Sequence, residues 1–411
     1  MCTDHCQRGI ESVKEEKRFR LADFFNAHWD SYVKCPTEYI TPEQYKAVAA
    51  MRVCQTEAIG VDHYVCPECG DITQVYHSCK HRFCPRCSWK DTLVWANKLK
   101  EEMLPIAHRH VTFTLPHGLH PLIKANKWDL LDLLFKTAAE SIKDWLKAKY
   151  QITPGIINVL HTFGEKKNQH VHIHMIVSWG GQNASGEIQS IKGDYINYKF
   201  IQKKFRNKFE DQLIKRFDDQ ALAHDFAHRM DFMRLVKRIN DKHWRINFEE
   251  SMDIPALVIR YIGRYSKRAC LSEYKITNLS GAYITFKYKD YKDVDFYGQP
   301  IVKELTLHYR EFFPRLLQHV PLPYFRLVRY YGLYSARSKG LLKEKLSALP
   351  PLEEPQQQGV EEAPENPKVC KHCQVEKIYL YSTYLNKDGE RVYMSRFNPK
   401  KINDKPKTAA A

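Results

Sequence analysis

No stretch of this sequence approaches the roughly twenty consecutive apolar residues that a membrane-spanning helix needs. The opening residues, MCTDHCQRGIESVKEEKRFR, lack the apolar core of a secretory signal. No internal repeat is visible, which argues against a stacked-repeat array. Acidic residues are short: 48 Asp and Glu face 64 Lys and Arg, a formal net charge of +16. A surplus of that size repels itself unless a polyanion neutralises it. Phosphate backbones are the commonest such partner, because neutralising them releases condensed counterions. These absences predict a soluble, cytoplasmic chain that binds nucleic acid and no membrane.

What is present is ample material for a core, with 43% hydrophobic and 12% aromatic residues in 411. That length suggests two to four structural units. Helical spacing runs over residues 16–55, followed by a compact Cys/His segment from His63 to Cys87 and a helix over 90–103. Strand signals then appear in HVTFTLP (110–116), where Val111, Phe113 and Leu115 share a face. A helix over 128–150 precedes INVLHTFG (157–164) and HVHIHMIVSWGG (170–181), whose short EKKNQ connection predicts an antiparallel hairpin. Helices over 199–218 and 254–267 and further alternating segments complete an α+β pattern. LPPLEEPQQQGVEEAPENPK cannot bury a core and reads as a linker. The expected division is 1–100, a helical and zinc-binding module; 101–348, a catalytic domain; 349–368, a linker; and 369–411, a short tail.

Twelve cysteines in a cytosolic chain point to metal rather than disulfides. Cys66 and Cys69, then Cys84 and Cys87, form two C-x2-C knuckles, together enough for one tetrahedral structural zinc. Cys79 is an alternative ligand. His63, His77 and His81 lie in the same segment, and Arg82 and Arg86 in its basic rim predict DNA contact. Cys370 and Cys373 form a further C-x2-C, read either as half of a second site or as two exposed thiols.

In HVHIHMIV, His170, His172 and His174 alternate with period two and share one strand face, while Val171, Ile173, Met175 and Val177 face packing helices. If the hairpin closes symmetrically, His161 falls opposite His172, and opposed residues share a face. Neutral imidazoles converging in this way make a metal site. Ligands of this type suit catalytic zinc, or Mn²⁺ or Mg²⁺ once phosphate oxygens join.

IPALVIRYIGRYSKR places Tyr261 and Tyr265 one helical turn apart, beside a basic stripe that includes Arg264. Alone they read as core. Beside a metal-binding strand they read as nucleophiles, because a phenol with a pKa near 10 needs an activated electrophile. Lys203, Lys204, Arg206, Arg326 and Arg329 are candidate phosphate contacts, with Tyr330 or Tyr331 as base-stacking platforms. Phe205 and Phe209 read as core.

Four landmarks in order, CPECG…YHSCKHRFCPRC, HRHVTFTLPHGL, LHTFG with HVHIH and GG, and YIGRYSKR, resemble the HUH rolling-circle transposases of the insertion-sequence ninety-one type, relatives of Helitrons. The similarity spans about Cys54 to Arg337. It implies an antiparallel HUH nuclease core, a bacterial and nucleoid-associated setting, and 5′-phosphotyrosine chemistry on single-stranded DNA at transposon ends and in target DNA. It also implies a divalent ion, Mg²⁺ or Mn²⁺, besides the structural Zn²⁺. Carried over, His172 and His174 are metal ligands, with His161 or His170 completing the set, and Tyr261 and Tyr265 are nucleophiles. Two departures stand out: Val171 where many members have proline, and RINFEESMDIPA in place of a basic segment. A zinc-ribbon regulator without chemistry would explain the charge and cysteines but not the histidines. A zinc hydrolase would explain the histidines but leaves the tyrosine pair without a role.

Overall fold

The computed structural model describes residues 19–88, 95, 98–99, 102–239, 244–252, 270–338, 340, 342, 367–386 and 388–394. The expected helix carrying Tyr261 and Tyr265 lies outside them, as does most of the 90–103 helix and of the linker.

Helices α1 (Leu21–Lys34) and α2 (Pro42–Arg52) open the described chain. Thr41 and Gln44 form a reciprocal capping box at the start of α2, with Pro42 in the first turn, where its missing N–H costs nothing. Strands β1 (Val61–Val65) and β2 (Ile72–Tyr76) follow, then β3 (His108–Thr114). Helices α3 (His120–Ala125) and α4 (Lys127–Tyr150) lead to β4 (Gly155–Phe163) and β5 (Gln169–Ser178). A small ribbon of β6 (Gly180–Gln182) and β7 (Ile188–Ser190) precedes α5 (Tyr198–Asp218), α6 (Arg229–Arg238) and β8 (Arg245–Met252). Then come β9 (Ile276–Ser280), β10 (Tyr283–Val294), β11 (Pro300–His308), α7 (Tyr309–Leu317) and β12 (Val328–Gly332). Strands β13 (Ile378–Leu385) and β14 (Arg391–Met394) end it.

The central sheet has the order β12-β4-β5-β3-β8, with antiparallel pairing throughout. The fold is α+β. Period-two alternation gives this sheet two different faces. Val111, Phe113, Val171, Ile173, Met175 and Val177 point to one side, where α4, α5 and α6 bring Leu134, Phe205, Phe209 and Phe232. All ten are buried, and Phe113 meets Phe205 edge to face at 4.9 Å. The other side carries the histidines.

A second core joins distant parts of the chain. Leu21, Phe24 and Phe25 of α1 and Met51 of α2 pack with Ile284 and Phe286 of β10 and with Phe312 and Phe313 of α7. Phe25 and Phe313 stack at 4.3 Å. The β9–β11 sheet therefore shares its core with the N-terminal helices.

Candidate metal centre and zinc module

Strands β4 and β5 pair with His161 opposite His172, the register expected of a symmetric hairpin. On the same face, β3 places Thr112 beside His174 and Thr114 beside His172, with His110 one step further along. The side-chain nitrogens of His161, His172 and His174 gather within 4.8 Å of one another. His170 stays outside this group. The regular β4–β5 pairing shifts between His161 and Phe163, and the His170 ring lies 6.5 Å from that of His117. Its backbone carbonyl takes part instead, standing 2.9 Å from Nδ1 of His172.

Each imidazole nitrogen of His172 and His174 has a polar neighbour. A neutral imidazole carries one N–H, and Nδ1 of His172 uses it on the His170 carbonyl. That leaves Nε2 of His172 as a lone pair, 3.1 Å from Nε2 of His174. His174 has its own outer partner: its Nδ1 lies 2.9 Å from Nε2 of His110. Nδ1 of His110 in turn stands 3.0 Å from Oε1 of Glu249. A proton on Nδ1 of His174 is accepted by Nε2 of His110, and the Glu249 carboxylate stands beside the far side of that ring. With Nδ1 of both rings protonated, the two Nε2 atoms present lone pairs to a common point, as two ligands of one cation do. Metal–nitrogen bonds of about 2.0–2.1 Å put neighbouring ligand nitrogens about 3.0–3.4 Å apart, so the spacing fits an ion. Burial is the main cause, ahead of the neighbouring His161, that holds His172 and His174 well below the usual histidine pKa, in the neutral form that ligates.

Glu249 had no signal in the sequence as a member of this site. The β3–β8 pairing shifts register between Arg109 and Val111, and this irregularity carries Glu249 to the level of His110. Bulges commonly re-aim a side chain beside a functional site in this way.

The cysteines form two groups among the described residues, neither being the set expected from the paired knuckles. Cys84 and Cys87 join Cys79 and Cys54, not Cys66 and Cys69. Sulfurs of Cys54 and Cys79 each lie 3.5 Å from that of Cys87. A tetrahedral zinc with bonds of about 2.3 Å separates its sulfurs by about 3.8 Å, close to this spacing. Cys54 follows α2, and Cys84 and Cys87 are buried in the second core, so this group is anchored between elements that the apolar core already unites. The short turn from Cys66 to Cys69 meets Cys370 and Cys373 instead. Cys54 has no C-x2-C partner, so no spacing in the sequence marks it as a ligand. Cys54, Cys66, Cys69, Cys79, Cys84, Cys87, Cys370 and Cys373 make two complete sets of four thiolates.

His63 and His77 are otherwise engaged. His63 stacks on Tyr381 at 4.5 Å, and Nε2 of His77 pairs with Asp62 at 2.8 Å. Nδ1 of His81 accepts the backbone N–H of Phe83 at 3.1 Å.

Comparison with known proteins decides the family. Residues 155–340 match the family described as "Putative transposase", and residues 24–115 match the "Transposase zinc-binding domain". A "Putative transposase y4qJ" from Sinorhizobium fredii (strain NBRC 101917 / NGR234) is 28% identical over 326 residues, covering 77% of this chain and 80% of that one. The "Transposase for insertion sequence element IS801" from Pseudomonas savastanoi pv. phaseolicola is 28% identical over 304 residues, 72% of each chain. The chain belongs to the transposases of the insertion-sequence ninety-one type.

The transposase thus carries an N-terminal zinc-binding domain, and its family acts on DNA. Its expected DNA contacts are scattered. Arg82 donates to the carbonyls of Phe325 and Leu322 at 2.7 and 3.1 Å, tying the cysteine segment to the loop before β12. Arg86 binds Glu273 at 2.9 Å and Gln55 at 2.8 Å. Arg329 pairs with Asp132 at 2.6 Å and covers the Phe135 ring. Lys203, Lys204 and Arg206 lie on α5, on the helical side of the central sheet and away from the histidine face. Lys204 is 4.0 Å from Asp144, and Arg206 is 3.8 Å from Glu210. Lys203 and Arg326 are exposed. Tyr330 accepts the indole N–H of Trp95 at 2.7 Å, and Tyr331 packs against the main core. Arg264 lies outside the described residues, with the tyrosines. No described helix is long and apolar enough to cross a membrane.

Proposed function

We propose that this transposase nicks and rejoins single-stranded DNA at the ends of its element through 5′-phosphotyrosine intermediates on Tyr261 and Tyr265, driving rolling-circle transposition in the bacterial cytoplasm. The observation that carries the reading is the gathering of His161, His172 and His174 on one sheet face, with the His170 carbonyl and His110 as outer partners and Glu249 beside His110. These three imidazoles would hold a divalent ion, Mn²⁺ or Mg²⁺, whose Lewis acidity would make a scissile phosphate more electrophilic.

The protein's own contribution is positioning and proton handling. A tyrosine oxygen attacks phosphorus and gives up its proton. The bond to the 3′ oxygen breaks, and that oxygen takes up a proton to become a free 3′-hydroxyl. The phosphodiester energy is kept in the tyrosine ester, so a 3′-hydroxyl can reverse the attack and join strands without an outside energy source. A second phenol allows another strand to be cut while the first is still esterified. Lys203 and Arg326, exposed on the surface, are the best placed of the candidate cations to meet phosphates away from the reacting centre.

Incubation with labelled single-stranded DNA carrying the element's ends, with Mn²⁺ or Mg²⁺, tests the reading. A denaturation-resistant protein–DNA adduct is expected. Cleavage without adduct would replace the tyrosine route by hydrolysis.

A further inference from the structure

We propose that Cys66, Cys69, Cys370 and Cys373 bind a second structural zinc, closing the C-terminal segment onto the N-terminal module across 301 residues of sequence. Both matched families end before this segment, one at residue 115 and the other at residue 340.

The two halves of the site have the same backbone design. In the first, the N–H of Gly70 donates to the Cys66 carbonyl at 3.0 Å, and the N–H of Cys66 donates to the Asp71 carbonyl at 2.9 Å. In the second, Gln374 donates to Cys370 at 3.0 Å, and Cys370 donates to Val375 at 2.9 Å. Gly70 and Gln374 both adopt positive φ, 72° and 57°, at the same place in the turn. Gln374 bears that conformation without the freedom of glycine, so the turn is held in spite of its local cost. Two matched knuckles facing each other are how a four-thiolate zinc site is assembled. The sulfurs of Cys69 and Cys370 are 3.7 Å apart, against the roughly 3.8 Å expected of ligands sharing one zinc.

Burial supports the same conclusion. Cys66 and Cys370 are almost wholly inaccessible, yet neither belongs to any of the three apolar cores among the described residues. Their sulfurs lie instead in one group with those of Cys69 and Cys373. The sheet that carries them has the order β14-β13-β1-β2, with β1 in its interior and β13 along it from Val61↔Thr383 to Val65↔Ile378. Its apolar side chains are poorly covered: Ile72, Ile378 and Tyr393 are each more than half exposed. A small sheet without a core of its own needs a staple, and a tetrathiolate zinc supplies one. Lys377 adds a second link, its ammonium bonding Asp71 and Thr73 of the first knuckle and its hairpin. Four thiolates in a tetrahedral set select zinc over harder divalent ions.

The test is elemental analysis of the full-length protein. About two zinc ions per chain are expected. The variants Cys370→Ser/Cys373→Ser and Cys66→Ser/Cys69→Ser should each hold about one, and combining all four changes should remove no more. In the native protein these four thiols should resist alkylation until a chelator is added. Retention of two zinc ions by the tail variant would overturn the site. So would native chain with one zinc and freely alkylated Cys370, or an intact mass showing these cysteines as disulfides. None of these readings depends on DNA cleavage, so the site stands or falls apart from the tyrosine chemistry.

Discussion

Nε2 of His110 lies 2.9 Å from Nδ1 of His174, and the rings stack with centroids 5.0 Å apart. His110 is thereby the outer support of a metal-facing imidazole, and Glu249 is the support of His110. Outer partners of this kind fix tautomer and ring orientation, and their loss costs about 10–100-fold in metal affinity. His110→Ala should weaken Mn²⁺ binding by that order in calorimetry while leaving the central sheet folded. Glu249→Gln should weaken it less, because it removes only the carboxylate charge beside His110 and leaves the His110–His174 contact in place. Unchanged affinity in both variants would remove the relay from the account.

His161 and His170 are separable. His161→Ala should abolish tight Mn²⁺ binding, as should His172→Ala and His174→Ala. DNA affinity should survive in all three, since it comes mainly from Lys and Arg. His170→Ala should keep most metal binding, because its contribution to His172 is a backbone carbonyl that alanine retains. A metal-dead His170→Ala beside a normal His161→Ala would invert the ligand set.

Cys54 is expected to behave as a ligand of the N-terminal zinc. Cys54→Ser should release one zinc and lower the melting temperature of the module, because structural zinc contributes directly to folding. Cys35, exposed and outside both groups, is the control, and Cys35→Ser should retain full zinc content and stability. Equal zinc in the two variants would dismiss Cys54.

Stability should fall in mild acid. Burial lowers His108 to about 4 and His319 to about 3, far from the ordinary 6.5. His108 meets the Tyr334 hydroxyl at 2.7 Å, and His319 is held by Thr162 at 2.9 Å and the Lys167 carbonyl at 3.2 Å. Between the folded values and 6.5 the unfolded chain binds more protons, so unfolding becomes easier as pH drops. Their contribution is complete above about pH 6.5 and is lost progressively towards pH 4 and 3. Each histidine adds a slope approaching about 1.4 kcal/mol per pH unit. Urea unfolding from pH 7 to 5 should show the decline, and a flat profile would contradict the burial of these rings.

How much of this was legible in the sequence depends on the distance over which each feature is decided. The histidine face follows from period-two alternation and a five-residue hairpin connection, both local, so the His161–His172 register could be read directly. The zinc groupings could not. Cys66 and Cys69 find their partners through β1–β13 pairing, a contact that no neighbouring residue announces. Glu249 is placed by a shift in strand pairing, and such shifts leave little trace in composition. Arg82 and Arg86 read as DNA contacts because charge is visible in sequence, while the protein groups they also bond are not. Their partners are protein groups, the carbonyls of Leu322 and Phe325 and the carboxylate of Glu273.

The proposed transposition chemistry requires that Tyr261 and Tyr265 attack DNA. Its most direct measurement is the covalent adduct formed by wild type, Tyr261→Phe, Tyr265→Phe and the double variant on a single-ended, labelled single-stranded substrate. Each phenylalanine removes only a hydroxyl, and circular dichroism should be unchanged. Wild type should form adduct, each single variant should form some, and the double variant should form none. Peptide mapping should place the DNA on Tyr261 or Tyr265, and full transposition should fail in either single variant. Adduct persisting in the double variant, or full transposition by a single variant, would contradict the two-tyrosine account.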